Sequence, residues 1–187
     1  MNQSMASHIQ AFAPGISKDA AIWTRACVAC QRSKIHASHH VQAPLHDFKP
    51  PQKRFQHIHL DIVGPLPPSQ GYTHLLTIVD RFTRWPEAIP LSNTSTITIA
   101  RALLHGWVSR FGTPSRITSD RGSQFTSQIW HQVATFLGTE LHHTTSYQPQ
   151  ANGMVERFQR DLKAALKAGL PDALPWMNQL PRVLLGL

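Results

Sequence analysis

Acidic residues are scarce. Ten Asp and Glu stand against eighteen Lys and Arg in 187 residues, a formal charge of +8. Such a balance points to an anionic partner, and nucleic acid is the usual one; an ordinary basic surface is the alternative. Cysteine is almost absent. The two present, Cys27 and Cys30, exclude a disulfide framework. Their spacing suits a metal better than a structural disulfide, and the expected compartment is reducing and intracellular. No apolar run approaches the roughly 20 residues that span a bilayer, and no secretory signal is visible, so a soluble chain is expected. Internal repeats and low-complexity tracts are also missing.

What is present is enough for a core, since hydrophobic residues make up 41% of the chain. The basic excess is uneven. Residues 1–54 hold seven Lys/Arg against two acids, and residues 55–187 hold eleven against eight. Within 1–40 one stretch, Ser17 to Arg32, looks helical. Residues 41–54, VQAPLHDFKPPQKR, form a Pro-rich basic linker without periodicity. The expected organisation is therefore a small module at 1–40, the linker at 41–54 and a main domain at 55–187.

The main domain alternates strand and helix signals. His57–Val63 and Thr73–Asp80 read as an antiparallel pair around a Pro-Pro-Ser-Gln-Gly turn. Ala88–Leu91 is a short third strand. Thr96–Phe111, Ser127–Leu137 and Asn152–Ala168 carry helical spacing, each stopped by a glycine. Arg116–Ser119 and Glu140–Thr144 are strands between them. This order implies an α/β fold with a mixed sheet flanked by helices. The apolar run Leu184 to Leu187 breaks off in mid-pattern, so the domain is expected to continue beyond it.

Three acids stand out. Asp61 lies mid-strand, where Asp is disfavoured, on the face of His57, His59 and Val63. Asp120 follows a strand at the end where open α/β sheets collect ligands. Glu156 opens a helix, with Arg160, Lys163 and Lys167 following along one side. Each has an ordinary alternative: a solvated strand face, a turn Asp before Arg121-Gly122, and a Glu–Arg surface pair. Asp80 also ends a strand and reads as a turn or structural Asp. Trp85 and Trp107 read as core residues rather than base-stacking platforms.

The contexts carry more than the spacing. HLDIVGPLP, LLTIVDRFTRWPEAIPL, RFGTPSRITSDRGSQFTS and YQPQANGMVERFQRDLKAAL follow in order, with 35 residues between Asp120 and Glu156. In these stretches the sequence resembles the integrases of long-terminal-repeat retrotransposons of the gypsy type, relatives of retroviral integrases. The resemblance runs from about Pro14 to the C-terminus.

That resemblance implies a ribonuclease-H-like fold, a five-stranded mixed sheet flanked by helices, preceded by a small N-terminal helical remnant. It implies Asp61, Asp120 and Glu156 as ligands of Mg²⁺, or Mn²⁺ in its place, since hard oxygen donors suit these ions. It also implies 3′-end processing and strand transfer into target DNA, two in-line displacements at phosphorus. Tyr147, Gln148, Gln150, Asn152, Gln159, Arg160 and Lys163 become expected DNA contacts. At Gln148 the chain departs from the family's usual Tyr-His-Pro-Gln.

Cys27 and Cys30 match the second half of a His-His-Cys-Cys zinc module, whose histidines would lie before Met1. A local Zn²⁺ site with His36 and His39 is the alternative. Expected partners are DNA ends, target DNA and further copies of the chain. Expected locations are a cytoplasmic particle and then the nucleus. A decayed or domesticated nucleic-acid-binding remnant without activity remains the competing function.

Overall fold

A computed structural model of the chain describes residues 15–28, 31, 53–144, 157–166 and 175–186. Helix α1 (Ile16–Ala26) comes first. The main body holds strands β1 (His57–Val63), β2 (His74–Asp80) and β3 (Pro86–Leu91). Helix α2 (Thr96–Leu103) follows, continued by a π-helical segment (Leu104–Val108) and α3 (Ser109–Phe111). Then come β4 (Arg116–Ser119), α4 (Ser123–Thr126), α5 (Gln128–Leu137) and β5 (Glu140–His143). Helix α6 covers 157–166, and α7 is Trp176–Leu185.

The five strands form one mixed sheet in the order β3-β2-β1-β4-β5. β1 pairs antiparallel with β2 and parallel with β4. β1 is thus central, and helices cover both of its faces. One face brings Ile58, Leu60 and Ile117 against Ile99, Leu103, Trp107, Phe125 and Trp130. The other brings Val63, Leu75 and Ala88 against Leu162 and Leu166 of α6 and Trp176 and Leu180 of α7. Burial of the second face overturns the solvated-face alternative for Asp61: His57 and His59, its neighbours on that face, are 6% and 2% exposed.

Local chemistry sets the helix ends. Ser95 and Ser127 accept N–H bonds from Thr98 and Trp130 as N-caps. Gly138 ends α5 at φ 66°, a left-handed conformation that favours glycine. The Thr96–Phe111 helix is present, with the π-helical segment inside it. The short α4 and the whole of α7 were not anticipated. In α7 the Pro181 ring masked an amphipathic pattern anchored by Trp176, whose Nε1 donates to Pro67 O at 2.7 Å.

Two other expectations meet the structure differently. Asp80 is the structural Asp it was read as: fully buried, it accepts from Phe55 N, Thr83 N and Thr83 Oγ1. Trp107 is fully buried, but Trp85 is 48% exposed. Its position in the β2–β3 turn lifts it off the sheet, so Trp85 is not a core residue.

Candidate active site

Asp61 sits in the middle of β1, opposite Thr77 of β2. Its Oδ1 accepts the Ile62 N–H at 2.7 Å, and its backbone carbonyl accepts from Thr77 Oγ1 at 2.9 Å. On the other side of β1, His59 is in register with Thr118 of β4. Two residues further along both parallel strands stand Asp61 and Asp120. In-register residues of neighbouring strands share a face about 5 Å apart, so the two acids meet where β4 ends.

Asp120 is held by its own loop. Its Oδ1 accepts the Gly122 N–H at 3.1 Å, and its carbonyl accepts from Ser119 Oγ and from His143 Nδ1, both at 3.1 Å. The last bond ties the Asp120 loop to β5. The local sequence Asp-Arg-Gly makes the turn; the sheet order puts that turn beside Asp61.

Burial pushes the Asp61 carboxyl above its ordinary range, and the nearby Asp120 charge pushes it the same way. The Ile62 N–H, the Gln159 side chain and the Lys163 charge act against that shift. A half-buried carboxylate facing a second one is a site whose ionised form calls for a cation.

Helix α6 supplies the third side. Leu162 and Leu166 bury its apolar stripe against the sheet, and this turns Gln159 inward. Gln159 is 8% exposed, and its Nε2 donates to Thr77 Oγ1 at 3.0 Å. With its bond to Asp61 it links α6, β2 and β1 at one point. Gln159, expected as a DNA contact, is thus a buried side chain bonded within the protein. The helical stripe alone does not reveal this, because Gln159 borders the apolar side only once α6 lies on the sheet. Lys163 remains exposed, and Arg160 is half-exposed with Asp161 Oδ1 3.7 Å from its Nε.

Of the expected site residues, the structure brings together Asp61, Asp120, Gln159 and Lys163. Glu156, Tyr147, Gln148, Gln150 and Asn152 lie outside the described residues, as do Cys30, His36 and His39. Cys27 caps α1, its N–H donating to Trp23 O at 2.9 Å. Among the described residues no group of three His, Cys, Asp or Glu could hold a metal ion.

The family described as "Integrase core domain" matches residues 51–149, over half of the chain. The chain belongs to that family. It is 34% identical over 175 residues to the Pro-Pol polyprotein of simian foamy virus type 3 (strain LK3), across 93% of this chain and 15% of that protein. It is 31% identical over 172 residues to the Gag-Pol polyprotein of avian reticuloendotheliosis virus, across 91% of this chain and 15% of that protein. The chain thus spans about 15% of the length of these curated relatives.

Among solved structures, the simian T-cell lymphotropic virus intasome in complex with PP2A regulatory subunit B56 gamma is similar at TM-score 0.63 and 26% identity. That match covers 76% of this chain and 51% of the other. The HTLV-2 integrase catalytic core domain in complex with magnesium (dimeric form) gives TM-score 0.58 at 22% identity, covering 71% and 86%. The catalytic core domain of BIV integrase gives 0.58 at 24%, covering 71% and 83%. The fold is the ribonuclease-H-like fold of integrase cores.

Proposed function

We propose that this chain is the catalytic core of a retrotransposon integrase that joins DNA ends to target DNA. The observation that carries the reading is the meeting of Asp61, in the middle of β1, with Asp120 at the end of the adjacent parallel strand β4, with burial and like charge raising Asp61. The donor set fits Mg²⁺ or Mn²⁺, because carboxylate oxygens are the ligands these hard ions take. Asp61, Asp120 and Glu156 would hold the metal. When bound, it supplies activation of the attacking oxygen and stabilisation of the leaving one.

The chain's other residues orient and attract. Gln159 and the Ile62 N–H fix the Asp61 carboxylate. Lys163 and Arg160 lie further along the α6 surface and favour a phosphate backbone beside the acids, a contact that gives affinity rather than sequence reading. The magnesium complex of the HTLV-2 core and the intasome of the simian virus support the metal, the DNA partner and a multimeric working state by analogy. The reading retains 1–40 as a partial zinc module, 41–54 as the linker and 55–187 as the core, and it places the working protein in the nucleus at integration.

The test is Mg²⁺-dependent strand transfer from a labelled DNA end. Asp61→Asn, Asp120→Asn and Glu156→Gln should each abolish product while leaving the circular dichroism spectrum unchanged. Substantial product from any of the three would overturn the assignment. DNA binding by the parent without any metal-dependent product would favour the inactive remnant.

A further inference from the structure

The end of the sheet away from the acids carries a second surface. Asp80 marks this end: it pairs with Ile58, three residues and about 10 Å along β1 from Asp61. The turn that follows it reads Arg81-Phe82-Thr83-Arg84-Trp85. Asp80 and Thr83 lock that turn from inside, and Arg84 N donates to Asp80 O at 2.9 Å. The side chains at its tip therefore face outward on a rigid base. Phe82 is 53% exposed and Trp85 is 48% exposed.

Trp85 is held at its edges. Its Nε1 donates to Glu87 Oε1 at 2.9 Å, and its ring meets Phe111 edge-on at 6.4 Å. Phe111 also packs on Phe55 at 4.5 Å, and the Arg54 guanidinium lies over the Phe55 ring at 5.7 Å. Arg54 and Arg84 thus flank one aromatic turn, while the Arg81 guanidinium turns toward His57 Nδ1 at 3.5 Å. Among the described residues the nearby acids are already engaged. Asp80 is buried, and Glu87 bridges Arg110 at 3.0 Å.

We propose that Arg54 and Arg84, with the exposed rings of Phe82 and Trp85, form a binding surface for single-stranded nucleic acid, separate from the candidate active site. The cations complement a phosphate backbone. The rings decide between single strand and duplex, because a duplex hides its base faces while a single strand offers them for stacking. An acidic protein segment would satisfy the arginines but leave both rings unused. Fixing Trp85 before binding lowers the ordering cost of that stack.

The test uses the full chain and a fluorescein-labelled thymidine homopolymer in EDTA, read by fluorescence anisotropy. Trp85→Ala should weaken binding about tenfold, while Trp85→Tyr should retain most of it. Arg84→Ala should lower the salt slope by about 0.7. The assay contains no divalent metal and no end-joining step, which keeps this outcome separate from the fate of the strand-transfer reading. Unchanged affinity in both Trp85→Ala and Arg84→Ala would overturn the proposal. So would equal loss in Trp85→Ala and Trp85→Tyr, or displacement by a blunt duplex or a poly-glutamate peptide as effective as by unlabelled homopolymer.

Discussion

Asp61 is costly where it stands. It interrupts a buried central strand, loses water, and faces Asp120. Only the Ile62 N–H, Gln159 and the Lys163 charge offset this. The metal-free protein should therefore gain from losing the charge. Asp61→Asn is expected to raise the melting temperature in EDTA. Added Mg²⁺ should raise the melting temperature of the parent, by binding the folded state alone, and should leave that of Asp61→Asn nearly unmoved. A variant that melts below the parent in EDTA would show that the carboxylate stabilises the fold, contrary to this account.

Helix α6 links stability to the site. Its apolar stripe packs on Val63 and Leu75, and the same seating carries Gln159 to Thr77 and Asp61. Leu162 is fully buried at the centre of that contact. Leu162→Ala should cost about 2–5 kcal/mol in urea unfolding, the range for a large-to-small change in a packed core. The thermal shift on adding Mg²⁺ should shrink with it, because the helix would hold Gln159 less firmly. An unchanged shift beside lost stability would uncouple α6 from the carboxylates. Helix α7 completes the same layer through Trp176 and Leu180, and this element was hidden in the sequence by Pro181.

Across the whole molecule, one buried histidine sets a pH limit. Burial holds the His57 pKa well below the ordinary 6.5, at about 3, with the charges of His59, Arg81, Arg116 and His142 adding to the effect. His57 is stacked on His59 and its Nε2 meets Thr118 Oγ1 at 2.8 Å. The unfolded chain takes up a proton here below about pH 6.5 and the folded chain does not. This group's contribution is therefore intact above pH 6.5 and is lost as pH falls toward 3. Asp61, raised in the fold, works in the opposite direction above its unfolded pKa. Comparing the parent with His57→Phe isolates the histidine. Between pH 6 and 4 the parent's unfolding free energy should fall more steeply, by up to about 1.4 kcal/mol per pH unit. Parallel pH profiles for the two proteins would exclude His57 as the cause.

The sequence by itself determined the family, the alternation of strands and helices, and the two aspartates that the sheet brings together. These follow from local patterns: period-2 and helical spacing, glycine stops, and acids set in recognisable contexts. It also marked Asp80 as a turn or structural Asp, since the resemblance supplies three acids without it, and in the fold that carboxylate locks its own turn through Thr83. What only the tertiary structure decided were matters of neighbourhood. Gln159 looks like one more polar residue on a basic helix until α6 lies across β2 and β1 and makes it a buried link. His57 and His59 look solvent-facing until the folded sheet buries both, stacking one on the other and joining His57 to Thr118. Trp85 looks like core until the locked turn holds it outward. Periodicity reports which side of an element a residue occupies, while burial and partners depend on which element lies against that side, and packing between distant segments sets that.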